Sequence, residues 1–141
     1  MSKRALVVGG TGPTGPYIVN GLLERGYRVA ILHRGIHETA EIPPQVEHIH
    51  CDPYDRADVE AALVGRTFDL AVVAYGRLRM LAEVLVSKVD RFLSIGGAPA
   101  YLGYMHPQAV SPMGLRVPVR EDATLVARET ESRKGFAIVR T

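Results

Sequence analysis

The stretch VVGGTGPTGPYIV, residues 7–19, decides the fold that this sequence predicts. It overlaps the apolar run RALVV (4–8), and after its glycines the apolar residues return at helical spacing. Glycine inside a strand or a helix costs about 0.5–1 kcal/mol relative to alanine, so a cluster of glycines over 9–15 needs a structural reason. The pattern predicts a strand, a tight glycine turn and a helix over 14–25, with Gly26 as its C-cap.

Strands and helices continue to alternate along the rest of the chain. Further strands are expected at 28–32, 46–50, 69–74, 91–95 and 135–140, and further helices from Asp55 to about 64, over about 77–88 and over about 122–133. These strands are apolar almost throughout, which is typical of a parallel sheet that helices cover on both faces. The sequence therefore predicts an α/β fold, a doubly wound and mostly parallel sheet of about six strands with helices on both faces.

Composition and charge argue against several classes of protein. The 141 residues fit one domain, and a formal net charge of +2 from interspersed acids and bases argues against a nucleic-acid partner. No apolar run reaches the length of about 18 residues that a membrane span needs, and the run near the basic start is too short for a signal peptide. The only cysteine, Cys51, excludes an internal disulfide and is expected to be a small buried hydrophobe. A cytoplasmic location is therefore expected.

The glycines also fit a phosphate-binding turn, because Gly10, Gly12 and Gly15 have the spacing G-x-G-x-x-G between a strand and a helix. In this interpretation Gly10 permits the tight turn, Gly12 leaves room for a pyrophosphate, and Gly15 allows the helix to pack closely on the strand. The N–H groups and the dipole of the first helical turn then bind the anion. A plain glycine turn is the alternative. The cofactor-binding residues expected here are Gly9, Gly10, Thr11, Gly12, Pro13, Thr14 and Gly15.

The end of the second strand indicates which dinucleotide is bound. An NAD site usually has an acidic residue about 20 residues beyond the glycines, where it holds the ribose 2′-hydroxyl. Here His33 stands at that place and Arg34 follows it. Because no carboxylate is present there and Arg34 can pair with a 2′-phosphate, NADP is the expected cofactor, and NAD is possible. A solvated loop arginine is the alternative for Arg34.

Residues after the third and fourth strands complete the expected cofactor site, since the ligands of such sheets lie at the carboxyl ends of the strands. Asp52 and Pro53 follow the third strand, where a carboxylate can accept a hydrogen bond from the adenine amino group. Helix capping or turn formation is the alternative role for Asp52. Ala74, Tyr75 and Gly76 follow the fourth strand and are expected beside the ribose and the nicotinamide.

With these residues the chain resembles the short-chain dehydrogenase/reductase superfamily, and more closely its extended and atypical branch, often called the NAD-dependent epimerase/dehydratase family. The segments that carry the resemblance are GGTGPTG, HRG, CDPYD, VVAYG and FLSIGGAPAYLG, at or after the first five strands. The resemblance runs from about residue 4 to 141. It implies a Rossmann fold, a nicotinamide cofactor and a small carbonyl, hydroxyl or nucleotide-sugar substrate.

The resemblance does not extend to the residues that perform the family's proton chemistry. That chemistry needs a tyrosine, a lysine four residues later and an orienting serine or threonine. No Tyr-x-x-x-Lys occurs in this sequence, Gly97 stands where the serine is expected, and Ile18 replaces a small residue of the first helix. Tyr101 and Tyr104 are the remaining catalytic candidates. The sequence ends with the expected last strand, so residues 1–141 are expected to be the dinucleotide-binding domain without the substrate lobe of extended members.

Two functions of different classes are compatible with these residues. One is an NAD(P)-binding oxidoreductase or epimerase-like enzyme with an atypical active site, with a homodimer as a possible assembly. The alternative is a non-catalytic module that senses redox state by binding the dinucleotide and passes that state to a partner. His48 and His50 alternate along the third strand and could form half of a metal site. Since no third ligand is evident, partly buried or loop histidines are the preferred interpretation and no metal is expected.

Overall fold

The computed structural model describes residues 2–74 and 76–140. The chain divides into two compact units, Met1–Ile95 and Gly96–Thr141. The first unit contains a sheet and three helices, whereas the second contains two 3₁₀ helices, Ala98–Ala100 and Pro107–Ala109, and the α-helix that we number α4 (Arg133–Val139). Among the described residues, none of the helices has the length and the apolar character that crossing a membrane requires.

The first unit is built on five parallel strands. They are β1 (Arg4–Val8), β2 (Arg28–His33), β3 (Glu47–His50), β4 (Phe68–Val73) and β5 (Val89–Ser94), in the spatial order β3-β2-β1-β4-β5. Each neighbouring pair is parallel. The strand order reverses between β1 and β4, and open α/β sheets bind ligands outside the carboxyl ends of the strands at such a point. The predicted doubly wound parallel fold is confirmed, with five strands in the described residues rather than about six.

Helices cover both faces of the sheet, and they are α1 (Gly15–Glu24), α2 (Arg56–Ala62) and α3 (Leu78–Leu85). Val19 of α1 packs with Val7 and Ile31 on one face. On the other face Leu81 of α3 packs with Leu6. Because Leu6 and Val7 are neighbours in β1 and enter different cores, the strand has to be apolar from Ala5 to Val8. This two-sided burial explains why the inner strand β1 was recognisable from the sequence, whereas the edge strand β5 is largely exposed.

The last segment of the second unit corrects one prediction. Residues 135–140 were expected as a sixth strand, but 135–139 belong to the helix α4 and Arg140 is its C-cap. The Ser132 side chain caps this helix by accepting a hydrogen bond from the backbone N–H of Gly135 at 3.0 Å. A short apolar run is compatible with either a strand or a helix. Here the N-cap residue in front of the run favours the helix.

A helix was expected over about 122–133, but residues 122–132 contain turns, bends and one isolated bridge between Leu125 and Tyr101, and only Arg133 is helical, as the first residue of α4. The Glu131 carboxylate accepts hydrogen bonds from the backbone N–H groups of Ala127, at 2.9 Å, and of Arg128, at 3.3 Å. A side chain that binds these N–H groups replaces the backbone carbonyls that a helix would supply. The prediction of a helix there is therefore wrong.

The turn between β1 and α1 is packed too tightly for a side chain at two of its glycines. A Cβ on Gly15 would lie 2.0 Å from the carbonyl oxygen of Gly10, and a Cβ on Gly10 would lie 2.7 Å from Cγ2 of Ile31. A Cβ on Gly12 would meet only the carbonyl oxygen of Gly9, at an ordinary 3.8 Å. The packing of the protein therefore requires glycine at 10 and 15, but not at 12.

The substitution Gly15→Ala is expected to lower the free energy of unfolding by roughly 1–3 kcal/mol, the usual cost of overpacking, because the backbone of the turn has to move. Gly12→Ala is the matched control, since it adds the same methyl group three residues before Gly15, where no protein atom obstructs it. This control should leave the free energy of unfolding nearly unchanged. Denaturation by guanidinium chloride, followed by circular dichroism, measures both. Equal midpoints for the two variants would contradict the packing described.

Candidate functional site

A cavity of about 540 Å³ opens at the carboxyl ends of β1, β2 and β4. Its volume lies within the range of about 300–1,000 Å³ that is typical of small-molecule sites. The lining residues are Gly9, Thr11, Gly12, Pro13, Thr14, His33, Arg34, Ile36, His37 and Ala74. All of them except Ile36 and His37 belong to the cofactor site predicted from the sequence, so the fold brings the glycine turn and the end of β2 together.

The glycine turn divides its tasks differently from the prediction. Gly10 was expected to permit the tight turn after the strand, but the left-handed backbone conformation there belongs to Gly9, with a φ of +87°. Gly10 instead packs against Ile31 of β2, and Gly15 packs against the turn itself. Gly12 lines the cavity and has no protein atom that would obstruct a side chain. A side chain at Gly12 would therefore enter space that a ligand can use, which fits the pyrophosphate of a dinucleotide.

The first turn of α1, which follows the glycine turn, contains no acidic side chain. Thr14 is the N-cap residue, and its side chain makes no capping hydrogen bond. The N–H of Gly15 donates to the carbonyl oxygen of Gly12 at 2.9 Å, which fixes the turn against the helix. The helix dipole favours negative charge at this end, so the arrangement is compatible with a bound phosphate.

His33 ends β2 in a buried position, with 5% of its surface exposed. Burial lowers the pKa of the His33 imidazole, and His48 and His50 lower it further, while Glu38 opposes them. The backbone N–H of Gly35 donates to Nδ1 of His33 at 3.2 Å. The hydrogen of the neutral ring therefore lies on Nε2, which is 3.0 Å from Nδ1 of His48. A neutral ring adds no negative charge at the place where an NAD site usually has a carboxylate.

Asp52 has the turn-forming role that was the alternative for this residue. Its Oδ1 atom accepts a hydrogen bond from the backbone N–H of Tyr54 at 2.9 Å. The predicted cap of α2 is Asp55, whose carboxylate accepts a hydrogen bond from the N–H of Asp58 at 3.0 Å. Asp52 is not among the lining residues of the cavity. Its expected contact with adenine stays a prediction.

Pro53, predicted after β3, and Gly76, predicted after β4, lie close to each other. Gly76 has a φ of +98°, and a Cβ on it would lie 2.9 Å from the carbonyl oxygen of Pro53. Neither lines the cavity, whereas Ala74 does, and the Ala74 N–H donates to the carbonyl oxygen of Val8 at 3.3 Å. Tyr75 lies outside the described residues.

Sequence reasoning missed several residues that the fold brings to the end of β2. Ile36 and His37 line the cavity from the loop after β2. Glu38, from the same loop, lies beside His48 and His50. The spacing of the two histidines in the sequence did not reveal this neighbouring carboxylate. Parallel pairing of β2 with β3 was the available signal, because it places the end of one strand beside the end of the next.

Cys51 follows β3 and has the structural role that was expected, being 6% exposed. Burial, together with the nearby carboxylates of Asp58 and Asp52, raises the pKa of its thiol to about 11. A thiol with such a pKa is almost entirely protonated at neutral pH, so it is a poor nucleophile.

The two catalytic candidates, Tyr101 and Tyr104, lie in the second unit. Tyr101 follows the first 3₁₀ helix and forms the bridge to Leu125, whereas Tyr104 is 50% exposed. The N–H of Tyr104 donates to the carbonyl oxygen of Tyr101 at 3.3 Å, so the two residues form one turn. Their catalytic role stays a prediction.

Comparison with known families decides what kind of protein this is. The model of the NAD dependent epimerase/dehydratase family matches residues 5–83, which is more than half of the chain. The chain belongs to this family. The family match covers the glycine turn, the end of β2 and the segment after β3, so the resemblance predicted from these motifs is confirmed.

Solved structures of several enzymes, epimerases among them, have the same fold. WbmG of Bordetella bronchiseptica, solved in complex with NAD, is 17% identical with a TM-score of 0.71, over 99% of this chain and 49% of that one. A UDP-glucose 4-epimerase is 18% identical with a TM-score of 0.70, over 97% and 45%. The epimerase Mth375 of Methanothermobacter thermautotrophicus is 20% identical with a TM-score of 0.64, over 96% and 45%.

The chain spans about half the length of these three enzymes. At these identities the likeness shows the fold, and it agrees with the family assignment. A comparison with curated protein sequences finds no significant match.

Proposed function

We propose that this chain binds NADP in preference to NAD, and that it is the cofactor-binding part of an epimerase-like or oxidoreductase enzyme. The observation that carries the proposal is the open space at Gly12. Protein packing does not require glycine at this position, whereas the close approach of a pyrophosphate would require it. Membership in an NAD-dependent family supports a dinucleotide ligand. WbmG, a structural neighbour, was solved with NAD and UDP, which favours a nucleotide-sugar or another small carbonyl or hydroxyl substrate.

Residues of this chain would hold the cofactor in two places. The turn from Gly12 to Gly15 would lie against the pyrophosphate, and the dipole of α1 would favour its charge. Pro13 has no N–H, and the N–H groups of Gly12 and Gly15 donate within the turn, so the backbone donors for the anion would be N–H groups at the start of α1. His33 and Arg34 would lie beside the adenosine ribose. The nicotinamide, when bound, supplies the chemistry of hydride transfer, and the protein orients it.

The substitution Gly12→Val is expected to abolish binding of NAD and NADP without unfolding the chain. The branched side chain would occupy the space beside the turn, whereas no protein atom lies close enough to be displaced. Isothermal titration calorimetry measures the affinity, and a thermal melt verifies the fold. Unchanged affinity in a folded Gly12→Val chain would refute the proposed site.

The preference for NADP rests on charge at the end of β2. The buried His33 stands in the place of the usual carboxylate, and the exposed Arg34 follows it directly. A carboxylate there would repel a 2′-phosphate, whereas a guanidinium pairs with it through two parallel hydrogen bonds. A hydrogen bond to a charged group is worth about 1.5–3 kcal/mol, which corresponds to a preference of about 10- to 150-fold.

We expect Arg34→Ala to lower the affinity for NADP by about 10- to 150-fold and to leave the affinity for NAD nearly unchanged. Arg25→Ala is the matched control, because Arg25 lies at the other end of α1 and its Nη1 atom donates to the carbonyl oxygen of Gly21. Calorimetric titration of each variant with both dinucleotides measures the effect. The preference is disproved if the unaltered chain binds NAD and NADP equally well.

Proton transfer is the part of the family's chemistry for which this sequence lacks the usual residues. General acid–base help typically contributes about 10²–10⁴-fold to the rate and needs a proton donor beside the reacting oxygen. None of the six tyrosines has a lysine four residues later. We infer that the 141-residue chain by itself binds the cofactor but does not perform the standard reaction of short-chain dehydrogenases.

Incubation of the purified chain with NADPH and a panel of aldehydes, ketones and nucleotide sugars is therefore expected to give no turnover above the blank without enzyme. Absorbance of the reduced nicotinamide measures the rate. Turnover that disappears in Tyr101→Phe or Tyr104→Phe would show that one of these tyrosines is an acid catalyst after all. The matched control is Tyr54→Phe, which removes a hydroxyl from the loop before α2.

A further inference from the structure

Three histidines and one glutamate converge at the edge of the sheet where β2 and β3 end. His33 and His50 are partners in the parallel register of these strands. His48 stands two residues before His50, so its side chain leaves the strand on the same face. Glu38 reaches the same place from the loop after β2. Each of the four side chains offers one ligand atom, and these four atoms all lie within 4.8 Å of one another.

The distances between these atoms are close to those of a tetrahedral metal centre. Nε2 of His33 lies 3.0 Å from Nδ1 of His48. Oε1 of Glu38 lies 3.5 Å from Nε2 of His50 and 4.0 Å from Nδ1 of His48. Ligands bound to zinc at about 2.0–2.1 Å in a tetrahedron are about 3.3 Å apart. Small rotations of the side chains would therefore bring four donors to one ion.

We propose that His33, His48, His50 and Glu38 form a binding site for one transition-metal dication such as Zn²⁺. Imidazole nitrogens with a single carboxylate are donors that suit zinc, cobalt, nickel and copper, whereas calcium and magnesium take oxygen ligands. The ion can enter from the solvent side, because the side chains of His50 and Glu38 are 55% and 60% exposed. The buried His33 closes the site on the side of the protein.

The metal-free arrangement has to change in one respect. The hydrogen of the His33 ring lies on Nε2 there, because Nδ1 accepts a hydrogen bond from the N–H of Gly35 at 3.2 Å. An ion on Nε2 displaces that hydrogen, and a ring that carries its hydrogen on Nδ1 no longer accepts from Gly35. The turn at Gly35, which has a φ of +71°, therefore shifts when the ion binds.

Hydrogen bonding and ion pairing alone are the competing explanation. His33 and His48 can share one hydrogen, and Glu38 can pair with His50 if that ring is protonated. That arrangement holds three imidazoles and a carboxylate together without any ion. The two explanations differ in whether the chain binds a metal ion with all four side chains.

Titration of the chain, free of affinity tags and stripped of metal, with Co²⁺ tests the proposal through the visible absorption of the ion. We expect one Co²⁺ per chain with the intense bands of four-coordinate cobalt, and Zn²⁺ should displace it. His50→Ala and Glu38→Gln should each weaken binding by at least about tenfold, since even the outer partners of metal ligands have effects of that size. His106→Ala, which removes an exposed histidine of the second unit, is the matched control and should bind as the unaltered chain does.

The proposal is overturned if Co²⁺ gives only the pale spectrum of the hydrated ion, or if His50→Ala and Glu38→Gln bind as tightly as His106→Ala. Thermal melts verify that each variant is folded, and Glu38→Gln preserves the size of an exposed side chain. If both variants failed to fold, the spectrum of the unaltered chain would decide by itself. None of these measurements depends on whether the chain binds a dinucleotide.

Discussion

The contact between Gly15 and the carbonyl oxygen of Gly10 is the constraint on which the site depends. A Cβ on Gly15 would lie 2.0 Å from that oxygen, so only glycine lets α1 begin directly against the turn that leaves β1. This contact fixes where the helix starts and therefore where its N–H groups and its dipole are directed. Gly12, held between these two glycines, is then placed at the cavity wall with no packing task of its own. The backbone geometry alone is thus compatible with a bound anion at this place.

Parallel pairing of the strands supplies the second ordering principle. Because β2 lies between β1 and β3, the residue that ends it contacts the cavity on one side and the end of β3 on the other. His33 is that residue, and it belongs both to the lining of the cavity and to the cluster with His48 and His50. The pairing of β2 with its neighbours therefore places the cavity and the histidine cluster side by side, at the edge of the sheet where the strands have their carboxyl ends.

Most of the first unit could be predicted from the sequence because its signals are local. The inner strands β1, β2 and β4 are largely buried and largely apolar, and the glycine turn is encoded within one short stretch. The edge strands β3 and β5 are mostly exposed, so burial does not account for their prediction. The second unit could not be predicted in the same way. Its α4 depends on the Ser132 cap, and the absence of a helix before it depends on Glu131, whose carboxylate binds backbone N–H groups. At the site, Thr14 and His33 follow from position along the chain, whereas Glu38 joins the histidines through the path of a loop, which has no periodic pattern.

The proposed binding of a dinucleotide and the family's acid–base catalysis make different demands on a sequence. The glycine turn that is proposed to bind the phosphates depends on its backbone and on positions without side chains, so many sequences satisfy it as long as the glycines remain. Acid–base catalysis needs particular side chains at particular points, and a single substitution removes it. The family match over residues 5–83 covers the glycine turn and the end of β2, which belong to the proposed dinucleotide site. The same match says nothing about proton transfer, because the turn around Tyr101 and Tyr104 lies beyond it.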